Sequence, residues 1–421
     1  MKTGCLLCRS DQLMPLLDVG LQPISNRFLR TPDEAEDRFP IALRQCAACA
    51  LVQIDTPVPA RALVPPYAWI TYSEPEAHLD QLVDVLLGLP GLGAGAVAAG
   101  VSFKDDSTLA RLERRNLRTW RLDLHQDLSV ADDGAGHGVE TVQDRLTPEV
   151  AAQIVQRRGA ADVVVARHIV EHAIRPLEFM EALKILIRPG GYIVLEVPDC
   201  SRAMDGRDYT TVWEEHTLYF TPETFHHSVS LAACRLVSSA NYPYPFENSL
   251  VAIAQPNGHA YVRGISRSGR ADQLGASRDG GPGQLLPSAL DRERQRGLAF
   301  GRGFAEHRDK VRQFLRAHRR RGPVALFGAG HLACMFINAF EIADAIDVIV
   351  DDNPHKRGLY MPGSRLPIAG SSILLEDRIT LCLLGLNPLA EDKVVEKHAA
   401  FVARGGTFAS IFPASPRAFE L

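Results

Sequence analysis

The chain has 421 residues, of which 46% are hydrophobic and 23% charged, and a formal net charge of -4. That length is enough for two or three hydrophobic cores, and the slightly acidic balance gives no electrostatic reason to expect nucleic acid as the main partner. No apolar run reaches the length of a membrane span, and Met1-Lys2-Thr3-Gly4-Cys5 lacks the apolar segment of a signal peptide, so a cytoplasmic protein, monomeric or homodimeric, is expected.

Four of the eight cysteines fall in two C-x-x-C pairs, Cys5/Cys8 and Cys46/Cys49. Two such pairs present four thiolates to one tetrahedral ion, and zinc suits them because it is soft enough for sulfur and inert to redox. Four sulfurs leave no open position, so the predicted role is structural, within a lobe spanning residues 1–66. The alternatives are reduced structural cysteines or a redox pair. Cys200, Cys234, Cys334 and Cys382 are scattered and read as small buried hydrophobes.

Residues 65–73 are rich in aromatics and lead into a helical segment starting near Glu74. Residues 96–109, AVAAGVSFKDDSTL, read as a first strand, a turn with one glycine, Gly100, and a helix start. Asp105 and Asp106 are the acids this turn offers. A second strand over 119–124 ends near Asp123, where a carboxylate could accept hydrogen bonds from a ribose.

The apolar run 161–166 has the length of a parallel strand buried on both faces. Arg167-His168-Ile169-Val170-Glu171-His172 then crosses the carboxyl edge of the sheet, where open α/β sheets bind ligands. Helical spacing over 176–187 is stopped by Arg188-Pro189-Gly190-Gly191, and the next strand covers 192–197. The letters H-x-x-E-H at 168–172 match an inverted zinc-peptidase pattern. That chemistry needs both histidines on one helical face, whereas this segment follows a strand directly, so the peptidase reading is set aside. Further on comes Trp213-Glu214-Glu215-His216-Thr217-Leu218-Tyr219-Phe220, with an imidazole beside two carboxylates.

Residues 255–287 are heavy in Gly, Ser, Arg, Asp and Pro and read as a linker, and 290–320 as a charged helix with Leu298, Phe304, Val311, Phe314 and Leu315 along one stripe. The last hundred residues hold strands over 323–327, 346–350, 381–386 and 407–412. Gly328-Ala329-Gly330-His331-Leu332-Ala333 with Asp352 some way beyond reads as a dinucleotide fingerprint, so an NAD-dependent enzyme is a rival reading.

The order of elements, with the words ARHIVEH, RPGGYIVLEVPD and WEEHTLYF, resembles the S-adenosylmethionine-dependent C-methyltransferases of nucleotide-linked deoxy-keto sugars. The resemblance extends over nearly the whole chain, including the cysteine pairs and Gly20 to Phe28. It implies an α/β protein with a zinc lobe (1–66), a class I methyltransferase-like Rossmann domain (67–254), a linker and charged helix (255–320), and a second, Rossmann-like domain (321–421) that holds the nucleotide of the sugar. It further implies His216 as the base that takes a proton next to a ketone, Glu215 as its carboxylate partner, and Tyr72 as a residue reaching into the site. Gly100, Asp105, Asp106, Asp123, Arg167 and His168 would face S-adenosylmethionine, and Trp213, Gly328, Gly330, His331, Asp352, Lys356 and Tyr360 the substrate. The chain departs from the family in two places. Alanine stands where the first strand of the methyltransferase domain usually ends in an acid, and Trp213 replaces a tyrosine. A non-catalytic descendant serving as a binding module is therefore a further reading.

Overall fold

The computed structural model describes residues 4–67, 74–131, 138–257, 285–376 and 378–419. Three sheets organise them. The amino-terminal lobe contributes β1 (Leu13–Pro23), β2 (Arg38–Cys46) and β3 (Val52–Ile54), an antiparallel meander in which the second cysteine pair sits at the β2–β3 turn.

The middle domain contributes β4 (Val97–Gly100), β5 (Arg118–Arg121), β6 (Ala161–Arg167), β7 (Ile187–Asp199), β8 (Leu218–Tyr219), β9 (Cys234–Tyr242) and β10 (Asn248–Pro256). Six of these form one sheet in the order β5-β4-β6-β7-β10-β9, parallel from β5 to β7 and antiparallel beyond. The run Val163–Val164–Val165 is fully buried because apolar clusters cover both faces of this sheet. The short strand β8 pairs instead with β3 of the lobe, Val52 opposite Tyr219, so the WEEHTLYF segment is shared between the two units.

The carboxyl-terminal domain is a parallel five-stranded sheet, made of β11 (Val324–Phe327), β12 (Val348–Val350), β13 (Ile368–Ala369), β14 (Leu381–Leu384) and β15 (Thr407–Ser410), in the order β13-β12-β11-β14-β15. The helix Pro287–Arg319 precedes it and is three residues longer at its start than the sequence pattern suggested. Far from being a detached charged rod, it buries Phe300, Phe304, Val311 and Leu315 in a core that also holds Leu17 and Ile41 of the lobe and Leu326 and Phe336 of the last domain. Gly301 passes so close to β1 that a Cβ there would fall 2.1 Å from the Leu16 carbonyl oxygen. One continuous core therefore fixes the lobe against the carboxyl-terminal domain.

Candidate active site

A cavity of about 790 Å³ opens where all three units meet. Ser25 and Asn26 of the lobe line it, with Lys104, His168, Glu171, Trp213 and His216 of the middle domain, and Gly328 to Leu332, Asp351, Asn353 and Lys356 of the last. The loops following the carboxyl ends of β6, β11, β12 and β14 all reach it, as expected for ligand sites on parallel sheets. Gly328 has φ +107, and a Cβ there would meet the Gly385 carbonyl oxygen at 2.9 Å, so the β11 turn depends on glycine.

Catalysis-competent groups gather on the middle-domain side. His216 lines the cavity while its Nδ1 is buried without a hydrogen-bond partner among the described residues. Burial, with His172 and Lys104 nearby, holds its imidazole well below the usual range, so the ring is neutral. Its expected partner needs correction. Glu215 points away, receiving a hydrogen bond from Asn26 Nδ2 at 3.1 Å and lying in a cluster with His172 and Glu140. The carboxylate grouped with His216 is Glu171, whose ligand-capable oxygen lies within 4.8 Å of those of His172 and His216. Glu214 anchors the segment, its Oε1 accepting from Ser25 N at 2.6 Å and Ser25 Oγ at 2.7 Å.

Trp213 donates from Nε1 to Ser25 Oγ at 3.1 Å. Its ring stacks on His331 of the last domain, so it closes one wall of the cavity and is already committed as a donor. Burial pushes the His331 imidazole down to about 3.

His168 adopts φ +46 and points its ring at Glu196 (3.0 Å), Glu171 (3.5 Å) and Glu74 (3.6 Å). Burial opposes its charge, but Glu74 and Glu196 outweigh that and raise it to about 10. Burial likewise opposes the Glu74 charge, and His168 and Lys104 hold that carboxyl down to about 2. Lys104 Nζ lies 2.6 Å from Glu74 Oε1. Only the end of the H-x-x-E-H word, Val170–His172, forms a 3-10 turn, and His168 precedes it and serves different partners from His172, which removes the peptidase geometry.

Several residues expected at the methyl donor serve the loop instead. Asp105 is fully buried and accepts from the backbone N–H groups of Val101, Ser102 and Arg167, each at 2.8 Å. Burial raises its carboxyl to about 7 despite those bonds. Arg167 is 1% exposed, pairs with Glu196 at 2.5 Å and donates to the Lys104 and Pro75 carbonyls. A Cβ on Gly100 would meet Leu109 Cδ1 at 2.8 Å and Asp105 Cβ at 2.9 Å, so this glycine admits its own helix rather than a ligand.

Asp106 and Asp123 do reach a second cavity, of about 490 Å³, walled by Phe103, Leu124 and Val142. Asp106 is half-exposed and paired with Arg121, while among the described residues Asp123 accepts from the N–H groups of His125 and Gln126 through Oδ1.

In the last domain, Gly328, Gly330, His331 and Lys356 line the large cavity, but Asp352 turns to Ser371 and Lys397. Asp351 stands in its place, accepting from Ala329 N and Lys356 Nζ. Tyr360 exchanges backbone hydrogen bonds with Leu29 of the lobe and does not line the cavity. Tyr72 lies outside the described residues. Glu171, Lys104 and Asn26 line the cavity and His172 and Glu140 pack beside Glu215 and Glu171; of these, the sequence motifs mark only Glu171 and His172, through the H-x-x-E-H word.

The four amino-terminal cysteines converge. Cys5 and Cys49 Sγ are 3.5 Å apart, Cys8 and Cys46 Sγ likewise, and all four atoms lie within 4.8 Å of one another. Tetrahedral zinc with four thiolates puts its sulfurs about 3.8 Å apart, so this set fits the ion.

Three family models match the chain: a zinc binding domain over residues 5–63, a methyltransferase domain over 106–239 and a C-methyltransferase C-terminal domain over 288–413. The chain belongs to the S-adenosylmethionine-dependent C-methyltransferases. Among curated proteins, C-methyltransferase NovU of Streptomyces niveus is 24% identical over 378 residues, covering 86% of this chain and 84% of its own. Among solved structures, the 1,6-didemethyltoxoflavin-N1-methyltransferase of Burkholderia thailandensis shares 15% identity, covers 43% of this chain and 80% of its own, and gives a TM-score of 0.30. The YcgJ protein of Bacillus subtilis gives 8%, 43%, 98% and 0.28. The segment that suggested an NAD enzyme is thus the family's own carboxyl-terminal domain. No helix among the described residues is long and apolar enough to cross a membrane.

The donor of this family fits the second cavity at its nucleoside end. Phe103, Leu124 and Val142 provide apolar walls for a base, and Asp123 keeps Oδ2 outside its local turn, at the place where a ribose diol is held in Rossmann-type folds.

Proposed function

We propose that this C-methyltransferase acts on a carbon next to a ketone in a nucleotide-linked deoxy sugar, with His216 as the general base. The observation that carries this reading is the single cavity walled by the carboxyl edges of two parallel sheets, one bearing His216 and its carboxylates and the other bearing the Gly328–Gly330 turn. That turn opens the helix His331–Ala339, whose amino end together with Lys356 favours the negative charge of a nucleoside diphosphate.

The chain's residues divide the work. Phe103 and Asp123 hold the nucleoside of S-adenosylmethionine, which supplies the methyl group. The sugar sits against Trp213 and beside His216. Neutral His216 takes the proton from the carbon next to the ketone, and the Glu171 carboxylate grouped with it offsets the charge of the imidazolium as it forms. The Glu140–His172 contact at 2.9 Å keeps the neighbouring ring in place. Lys104 and protonated His168 supply positive charge on the floor where the enolate oxygen develops.

The reading is tested by incubating the enzyme with S-adenosylmethionine and a panel of nucleoside-diphosphate keto-deoxy sugars, following product mass and exchange of the acidic sugar proton with deuterated water. Support would be a mass gain of one methylene together with loss of both signals in His216→Ala. An unchanged product in that variant would overturn the assignment of the base. Calorimetric titration with S-adenosylhomocysteine and NAD in parallel separates the donor from the rival cofactor and from a non-catalytic role.

A further inference from the structure

We infer that Glu171, His172 and His216 form a second metal site, separate from the cysteine cluster, which takes one borderline divalent ion such as Zn(II) or Co(II) at the floor of the large cavity. Their ligand-capable atoms lie within 4.8 Å of one another. Glu171 Oε2, His172 Nε2 and His216 Nδ1 are each buried and without a hydrogen-bond partner among the described residues. Three buried polar atoms on residues grouped this closely cost free energy unless something pairs with them.

The surroundings match what metal-bound histidines require. A ligating imidazole almost always directs its other nitrogen at a carboxylate, which fixes the ring and raises its basicity. His172 Nδ1 lies 2.9 Å from Glu140 Oε1, a contact that an ion on Nε2 would align into a hydrogen bond. Glu171 and His216 both line the cavity, so water or a ligand could complete the coordination. Two imidazoles and one carboxylate select a borderline transition ion over magnesium or calcium. The neighbouring trio Glu140, His172 and Glu215 is the weaker candidate, because Glu215 Oε1 is already bonded to Asn26 and neither glutamate reaches the cavity.

Occupancy has a consequence that rests on the proposed function. An ion on Nδ1 of His216 leaves the ring's proton on Nε2, so the imidazole turns from a base into a donor. Excess divalent metal would therefore inhibit methyl transfer, while the zinc held by four thiolates would not.

The test uses the full chain with its cysteine cluster loaded with zinc, titrated with Co(II) alone, without donor or sugar. One further equivalent is expected, with weak visible bands and no thiolate-to-cobalt charge transfer, and with hyperfine-shifted imidazole N–H resonances from two histidines. E171Q and H172A should each abolish it, and E140Q should weaken it roughly 10–100-fold, with lobe zinc and circular dichroism retained as evidence of folding. Absence of the extra equivalent in the wild-type chain overturns the site, as does an extra equivalent that persists in both E171Q and H172A. Because neither donor nor sugar is present, such a failure would leave the proposed reaction standing, and failure to find methyl transfer would leave the site standing.

Discussion

Trp213 lies nearly parallel to His331, ring centroids 4.0 Å apart and planes 21° apart, so one residue from each α/β unit forms a common wall of the cavity. Trp213 is 7% exposed and also donates to Ser25 of the zinc lobe, which makes it the point where all three units touch. Truncating it removes a large buried ring, and W213A should cost about 3–5 kcal/mol. W213F keeps a ring beside His331 but loses the hydrogen bond to Ser25 and part of the buried indole volume, so its loss should be smaller than that of W213A. Urea unfolding of both variants checks the order, and equal losses would show that the stack contributes nothing beyond the bond.

The cysteine cluster should matter to the site as well as to the lobe. β3 of the lobe pairs with β8, and Ser25 and Asn26 hold Glu214 and Glu215, so loss of the lobe's order reaches the segment that carries His216. C46S is expected to lose one equivalent of zinc and to lower the thermal midpoint, because binding energy at such a site is folding energy. Metal analysis with calorimetry checks this, and a variant that loses zinc without a shift in midpoint would contradict it.

Three histidines around the cavity should titrate in opposite directions. His216 is held well below the usual imidazole range, His331 falls to about 3, and His168 rises to about 10. Nitrogen-detected NMR at about pH 7 should find the first two neutral and the third charged. The stability consequences follow by linkage. The unfolded chain binds protons to His216 and His331 more readily, so their contribution fades as pH falls below the ordinary imidazole value. His168 contributes fully below that value, and its contribution is lost as pH rises through about 10. A His168 that titrates near neutrality would contradict the three-carboxylate cage drawn around it.

Arg167 and Glu196 form a pair that water does not reach, with side-chain exposures of 1% and 0%. Removing Arg167 takes one cation from Glu196 and leaves protonated His168 beside it, so R167M should cost less than the ~3–5 kcal/mol of a wholly uncompensated buried charge. A variant as stable as wild type in urea would mean that His168 and His78, which lie 3.0 and 3.2 Å from Glu196, neutralise it unaided.

Much of this architecture is legible in the sequence. The run Val163–Val165, the Pro-Gly-Gly turn and the Gly328–Ala333 turn mark their strands because parallel strands are apolar throughout and tight turns need glycine. The cysteine spacing marks the lobe for the same kind of local reason. What the sequence does not show is which way adjacent side chains point. Glu215 and His216 are neighbours in the chain, yet one faces Asn26 and the other the cavity, while Glu171 comes from a different strand end. Asp351 and Asp352 differ by one residue, and only the first lines the site. The helix Pro287–Arg319 was legible as a helix, but its burial depends on glycines at 297, 301 and 303 that let it approach other elements.

Gly100 separates the local reading from the structural one. A glycine kept for close approach of the donor would, on replacement, weaken binding while leaving the fold intact. Here the missing side chain is matched by Leu109 Cδ1 and Asp105 Cβ, at 2.8 and 2.9 Å from the position a Cβ would take, both within the same loop and helix. G100A should therefore destabilise by about 1–3 kcal/mol, as overpacking does, and the folded fraction should bind S-adenosylhomocysteine with unchanged affinity. D123N should do the reverse, weakening the ligand and sparing the thermal midpoint. Paired melting and calorimetry on the two variants decide the matter, because a G100A protein of wild-type stability with lost affinity would return Gly100 to the donor site.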